Sequence, residues 1–263
     1  MLLLYTHHHD SDWEMNKMNI ELLDMSRMTL LAKYYMKNGQ VASSLVESAD
    51  IEIRRFRFAP LQAEGTAVES DSCEEWLKEL SRRGATDCKL IVPLELDSFD
   101  RLNRPNGIRC CMICFYGDRA TSWNKLWTYN PIKGKWIVQY VEIPVRQTHE
   151  KPVFHDVSEN MAVLLERLRD LARNLKLSEY SFRFAAALKA LQSDYIAAEF
   201  TEPTYSRLMK AATEAYVFGG KEPWTETAKF AAAGKGLSEE YDALTRELYR
   251  GIALSVMYAV NEW

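Results

Sequence analysis

The sequence predicts an α+β fold in which one helix and an antiparallel sheet are followed by a bundle of helices. Helical spacing fills residues 11–38, alternating segments separated by turn signals fill residues 50–143, and helical spacing alone continues after residue 150. Strands followed by a run of helices are typical of α+β proteins or of two separate domains. We therefore predict a sheet domain over residues 1–148 and a helical domain over residues 149–263.

The first helix is predicted over residues 11–38, because apolar residues recur there every three or four positions. Ser11 followed by Glu14 resembles a capping box at its start. Asn38-Gly39 supplies a stop signal at its end. The residues of the apolar stripe are Met15, Met18, Leu22, Met25, Thr29, Ala32 and Met36.

The sheet is predicted to begin with a strand over residues 50–58, followed by a helix over residues 71–84. In the strand the apolar positions change parity near Arg54-Arg55, which predicts a β-bulge there. The next alternating segments are joined by short turn signals, and this pattern favours an antiparallel meander. These segments are residues 88–96, 108–116, 121–129 and 135–143.

After residue 150 the alternation disappears and the spacing predicts a small helical bundle. In the last helix, Gly251, Ser255 and Ala259 recur every four residues, which lets another helix approach closely. The predicted helices cover residues 156–175, 178–193, 203–219, 224–233 and a segment from residue 238 almost to residue 263.

Composition excludes several classes of protein. The chain has 263 residues, 27% of them charged, and its formal net charge of −4 is divided equally between residues 1–150 and 151–263. Neither part is polybasic, so we expect no duplex nucleic acid as a partner. We also expect no membrane partner, because no apolar run approaches about 18 residues. Five cysteines, three of them within residues 110–114, favour reduced thiols and a cytoplasmic location.

A cluster of potential metal ligands stands near the start of the sequence, where His8, Asp10 and Asp12 follow a short apolar run. This His-x-Asp-x-Asp pattern resembles the first motif of the DHH phosphoesterases, although Trp13 stands where that family has a small residue. The resemblance covers about a dozen residues. It implies that these three side chains bind divalent metal and that the substrate is a phosphodiester.

His155 is a further candidate ligand for this metal site, because it follows the predicted domain boundary. The metal would be Mn or Zn, and the protein would then be a metal-dependent hydrolase of phosphodiesters or nucleotides. The alternative is that the acidic residues and Ser11 simply favour the positive N-terminal end of a helix.

Two surfaces are candidates for partner binding. Arg54, Arg55 and Arg57 alternate with phenylalanine, a composition found in single-strand nucleic-acid platforms and equally in ordinary edge strands. Trp123 and Trp127 share one strand face, and Trp136 lies on the neighbouring strand. Such rings either stabilise a hairpin through cross-strand pairs or form an exposed binding face.

The sequence has no Gly-x-Gly-x-x-Gly, Walker, Gly-x-Ser-x-Gly, His-Glu-x-x-His or kinase motif. We therefore expect a non-catalytic interaction or accessory protein without a cofactor. Its partner is expected to be a protein, bound through the sheet face or through a groove between the two domains. The metal-dependent hydrolase and the single-stranded nucleic-acid binder remain alternatives.

Overall fold

A computed structural model of the chain describes residues 18–60, 67–103, 107–145, 151–193, 203–219 and 222–263. The strands are β1 (Ile51–Arg57), β2 (Glu69–Ser70), β3 (Asp87–Ile91), β4 (Cys111–Tyr116), β5 (Arg119–Asn130) and β6 (Lys135–Pro144). The helices are α1 (Ile20–Asn38), α2 (Ser43–Val46), α3 (Cys73–Arg82), α4 (Ser158–Asn174), α5 (Ser178–Leu191), α6 (Pro203–Ala215), α7 (Trp224–Gly234) and α8 (Ser238–Asn261). A short 3-10 helix covers Phe99–Asn103. The α+β class is confirmed.

The sheet has six strands in the order β2-β1-β6-β5-β4-β3 and is mixed. From β3 to β6 it is the predicted antiparallel meander. The prediction of a purely antiparallel sheet is wrong, because β1 pairs in parallel with β6. Parallel neighbouring strands need a long crossover connection. Between β1 and β6 this connection contains α3 and the strands β2 to β5.

The register irregularity of β1 lies between Ile51 and Ile53, earlier than the bulge predicted near residues 54 and 55. From Arg54 onward the alternation is regular, with Arg54, Phe56 and Phe58 all buried. The parity change predicted from the sequence therefore occurs, but it lies earlier in the strand, because Arg54 is buried on the same face as Phe56 although arginine is usually exposed.

Helix α1 begins at Ile20 instead of near residue 11. The side chain of Asn19 caps it, accepting hydrogen bonds from the backbone N–H groups of Glu21 and Leu22 at 3.0 and 3.3 Å. The predicted stop is confirmed, since Gly39 has a positive φ of 67° and donates to the Tyr35 carbonyl. The predicted Ser11–Glu14 capping box lies outside the described residues.

The inner face of the sheet, defined as the face that carries Phe56 and Trp123, forms a core with Trp76 of α3. The Phe56 and Trp76 rings are stacked with centroids 4.7 Å apart, and the Trp76 and Trp123 rings meet edge to face at 5.9 Å. All three side chains are fully buried. The same hydrophobic cluster continues through the buried residues of the C-terminal helices.

Helix α8 closes the free edge of β3 through one side chain. Asn261 accepts a hydrogen bond from the Leu90 N–H at 2.7 Å and donates one to the Leu90 carbonyl at 2.8 Å. Its amide thus bonds as a neighbouring strand would. Because unpaired strand edges attract other chains, this contact protects β3. The division into two domains stays a prediction.

The predicted close approach on α8 occurs at Gly251. A β-carbon at this position would lie 3.1 Å from Met161 Sδ and 3.2 Å from Leu164 Cδ2, both on α4. The missing side chain therefore allows α4 and α8 to pack tightly. Within the described residues, no helix is long and apolar enough to cross a membrane.

Replacing Gly251 by Leu is expected to lower the free energy of unfolding by about 1–3 kcal/mol, because the added side chain overfills the α4–α8 contact. Urea denaturation measures this change. Gly251→Ala is expected to cost far less, since both neighbouring atoms lie near the ends of side chains that can move and alanine favours helix by about 1 kcal/mol over glycine. Gly234→Leu is the control, because open space surrounds Gly234. Equal losses at both glycines would contradict the close packing.

Candidate functional site

A groove of about 570 Å³ lies where the loop after β3 meets helices α7 and α8. Residues 94–99 line one side, with Leu94, Leu96 and Phe99 half-buried. Binding pockets commonly have volumes of about 300–1,000 Å³. The groove has the size of a ligand site and joins elements of the two predicted domains.

Hydrogen bonds from α7 and α8 position the walls of this groove. The Tyr249 hydroxyl donates to the Pro93 carbonyl at 2.7 Å and thereby ties α8 to the loop after β3. The Tyr241 hydroxyl donates to the Trp224 carbonyl at 3.3 Å and ties α8 to α7. Both tyrosines are buried and line the groove. The shape of the groove is therefore fixed by hydrogen bonds between α8, α7 and the loop after β3.

Three exposed cationic side chains line the groove: Lys229 on α7, and Arg246 and Arg250 one turn apart on α8. None of the three forms an ion pair with any residue in the ranges that the structure describes. An arginine presents five N–H donors in a planar fork that matches a carboxylate. These cations are thus available to an anionic ligand.

The acidic residues of the groove are partly occupied. Asp97 pairs with Arg101 at 3.1 Å, and Glu247 pairs with Arg167 at 2.8 Å. The carboxylates of Glu95 and Asp242 line the groove as well. Among the groove residues that form no ion pair within the described part of the chain, there are therefore three cations and two carboxylates.

Thr225 adds a polar group to the same groove. Its side chain is 5% exposed, and its hydroxyl has no hydrogen-bond partner among the described residues. A buried hydroxyl without a partner costs roughly 1–3 kcal/mol.

Three of the four predicted metal ligands, His8, Asp10 and Asp12, lie outside the described residues. His155 is described and is exposed. Across the ranges that the structure covers, no three His, Cys, Asp or Glu side chains form a group able to hold a metal ion. The metal site and the hydrolase alternative stay predictions.

The basic residues of β1 do not act as one surface. Arg54 faces the core and binds Asp24, with Nη2 2.7 Å from Oδ1. Arg55 and Arg57 are exposed, and they lie 3.4 and 3.5 Å from the carboxylates of Asp71 and Glu69. Burial removes Arg54 from the predicted nucleic-acid platform, and only Arg55 and Arg57 keep the exposure that it requires.

The three candidate tryptophans differ in exposure. Trp123 is fully buried, so its ring is a core residue and not part of a partner-binding surface. Trp127 and Trp136 are half-buried, and their rings meet edge to face with centroids 5.9 Å apart. Tyr129 packs on Trp136 and is 49% exposed. The aromatic surface that remains is therefore confined to the end of the β5–β6 hairpin.

A second, smaller cavity of about 250 Å³ adjoins a buried carboxylate, that of Glu142. One oxygen accepts from the Tyr116 and Thr121 hydroxyls at 3.0 and 2.8 Å. The other accepts from Arg83 at 3.1 Å and from the Ala59 N–H at 3.0 Å. With four donors, this carboxylate is satisfied by the protein and acts as a structural crosslink.

A buried lysine and cysteine form another polar contact under α1. Lys125 Nζ lies 2.8 Å from Glu21 Oε1 and 3.3 Å from Cys110 Sγ. Burial raises the pKa of Cys110 to about 12, so its thiol is protonated at neutral pH. A thiolate nucleophile at Cys110 is therefore disfavoured.

A groove between the two predicted domains is an expectation from the sequence, but none of the residues that line this groove is predicted from it. The spacing of Arg246 and Arg250 places them on one helix face, and Thr225 and Lys229 have the same spacing on α7. This signal is weak, because pairs of charged residues one turn apart are common on exposed helices. That the two helices face the 94–99 loop follows from tertiary packing alone.

No protein-family model matches this chain, and no curated protein and no solved structure matches it.

Proposed function

We propose that this chain is a non-catalytic binding protein that takes up an acidic segment of a partner protein in the groove between residues 94–99 and helices α7 and α8. One observation carries the proposal: Lys229, Arg246 and Arg250 line a single groove without an ion-pair partner among the described residues. Cationic side chains without an ion-pair partner are available to bind acidic groups of another molecule.

The side chains that line the groove favour a particular composition for the bound segment. Arginine and carboxylate form paired, charge-assisted hydrogen bonds, so acidic side chains suit the α8 side. The half-buried Leu94, Leu96 and Phe99 offer apolar area for one or two apolar side chains. We therefore expect the best ligand to combine acidic residues with an apolar anchor. In binding pockets a few polar groups usually fix the orientation of the ligand, and the apolar lining provides most of the contact area.

An array of labelled hexapeptides that ranges from acidic-apolar to basic-apolar composition tests this proposal. We expect the acidic-apolar members to bind, with an affinity that falls as salt is raised from about 0.05 to 0.5 M, because exposed charges are screened. Absence of binding across the array, or a preference for the basic members, would overturn the proposal.

The double variant Arg246→Ser, Arg250→Ser is expected to bind the best acidic peptide at least tenfold more weakly, which corresponds to about 1.4 kcal/mol. Fluorescence anisotropy measures the affinity. The control is Lys78→Ser with Arg82→Ser, which removes the same charge from exposed positions on α3. If the control weakens binding as much, the peptide responds to overall charge and not to the groove.

A further inference from the structure

Two buried cysteines face each other across β3 and β4. Cys88 and Cys114 are directly opposite in the antiparallel register, and both are fully buried. Their sulfur atoms lie 2.9 Å apart. All five cysteines belong to the described part of the chain, and no other pair of them is in hydrogen-bond contact.

The position of Asn261 identifies the kind of cross-strand pair that these cysteines form. Both backbone groups of Leu90 bond to Asn261, on the side of β3 that faces away from β4. Residues two apart in a strand direct their backbone groups to the same edge, so those of Cys88 also face away from β4. In agreement, the Cys88 N–H donates to Asp87 Oδ1 at 2.8 Å and not to β4.

Cys88 and Cys114 therefore form a non-hydrogen-bonded pair, the type in which opposite side chains are closest. The α-carbons of such pairs are about 4.5 Å apart. Disulfides bridge α-carbons about 4.4–6.8 Å apart, with an S–S bond of about 2.05 Å. The two strands thus already hold the thiols within the range that a disulfide spans, and bond formation needs only a small movement of the side chains.

We propose that Cys88 and Cys114 are a site of reversible oxidation, at which a peroxide converts the two thiols into a disulfide that links β3 to β4. One thiol, as thiolate, attacks hydrogen peroxide; the O–O bond breaks, and a sulfenic acid and one water form. The second sulfur then attacks the sulfenic sulfur, the S–S bond forms and a second water leaves. Two electrons pass from the thiols to the peroxide, and a dithiol can later reduce the S–S bond to two thiols while it is itself oxidised to a disulfide.

The surroundings of the pair set the rate of this reaction. Burial raises the pKa of Cys114 well above its ordinary value, so the reactive thiolate is scarce at neutral pH. The pair is accordingly expected to be oxidised over hours and not seconds. Because both side chains are fully buried, hydrogen peroxide is expected to reach the pair only during local opening of the structure.

The test is to incubate the folded full-length protein with hydrogen peroxide, denature it, alkylate it and measure its mass. We expect two of the five cysteines to escape alkylation and to become available again after treatment with dithiothreitol. Tryptic digestion without reductant should then show residues 84–89 linked to residues 110–119, and fragmentation should assign the link to Cys114 instead of Cys110 or Cys111.

Two variants complete the experiment. Cys73→Ser with Cys111→Ser removes the two half-buried thiols and should still lose two alkylation sites on oxidation. Cys88→Ala should lose no alkylation site on oxidation, and circular dichroism verifies that this variant is folded. The disulfide-linked peptide from the unmodified protein tests the proposal independently of this variant. Five alkylated cysteines after prolonged oxidation, or a link between any other two cysteines, would overturn it.

Discussion

Replacing Asp24 by Ala is expected to destabilise the protein by about 3–5 kcal/mol, because the substitution leaves the Arg54 guanidinium buried without its counter-charge. Asp24 Oδ1 accepts from Arg54 Nη2 at 2.7 Å and from Nε at 3.0 Å. Its other oxygen accepts a hydrogen bond from the Tyr140 hydroxyl. Urea denaturation followed by circular dichroism measures the change.

An exposed ion pair of nearly equal length is the matched control. Lys78 Nζ lies 2.6 Å from Glu74 Oε1, but these side chains are 62% and 59% exposed, against 7% and 2% for Arg54 and Asp24. Glu74→Ala is expected to cost far less than Asp24→Ala, since water solvates the remaining lysine. If Asp24→Ala costs no more than this control, the pair contributes little to stability.

A triple variant separates the charge from the packing. Asp24→Leu, Arg54→Met and Tyr140→Phe together replace all three polar groups by apolar ones. Such replacements of buried ion pairs are often neutral or stabilising. We therefore expect the triple variant to be more stable than Asp24→Ala, although it carries more substitutions.

Trp123→Ala is the second substitution with a large expected effect, a loss of about 3–5 kcal/mol from the cavity that it leaves. The ring is fully buried and meets Phe58 edge to face at 4.9 Å, and it also contacts Phe56 and Trp76. The free energy of unfolding from a denaturant titration tests the expectation. A stable, well-folded Trp123→Ala protein would contradict the packing described here.

Two further substitutions show whether the loss of stability depends on the side-chain volume that is removed or on the exposure of the position. Trp123→Phe is expected to cost much less than Trp123→Ala, because it keeps most of the ring volume and leaves a smaller cavity. Trp127→Ala, at a half-buried position of the same face, is also expected to cost less. Equal losses for Trp123→Ala and Trp127→Ala would mean that burial does not control the effect.

Helix spacing and strand alternation predicted most of the elements but not the arrangement of the sheet. The helices after residue 150 are confirmed to within a few residues, since a long apolar period is a strong local signal. Alternation carries no information about strand direction, so the parallel pairing of β1 with β6 was not predictable from it. The predicted start of α1 is too early, because methionines continue the apolar period in the sequence to the N-terminal side of the cap at Asn19.

The candidate site was less predictable, because it depends on partners that are distant in sequence. In the sequence Arg54 resembles Arg55 and Arg57, but its side chain is buried and its charge is balanced by Asp24 on α1. The shared face of Trp123 and Trp127 was predicted from alternation. Which part of that face α3 covers depends on tertiary packing. The cations of the groove are unremarkable in the sequence and become a site only when α7 and α8 face the loop after β3.

The contact between Asn261 and Leu90 also has a consequence for biosynthesis. The two residues are 171 positions apart. At a translation rate of about 5–20 residues per second, the edge of β3 emerges on the order of 10–30 s before the side chain that seals it. During this interval the nascent chain presents an open strand to its neighbours on the polysome. Chaperone demand during translation is therefore expected to depend on how soon α8 is made.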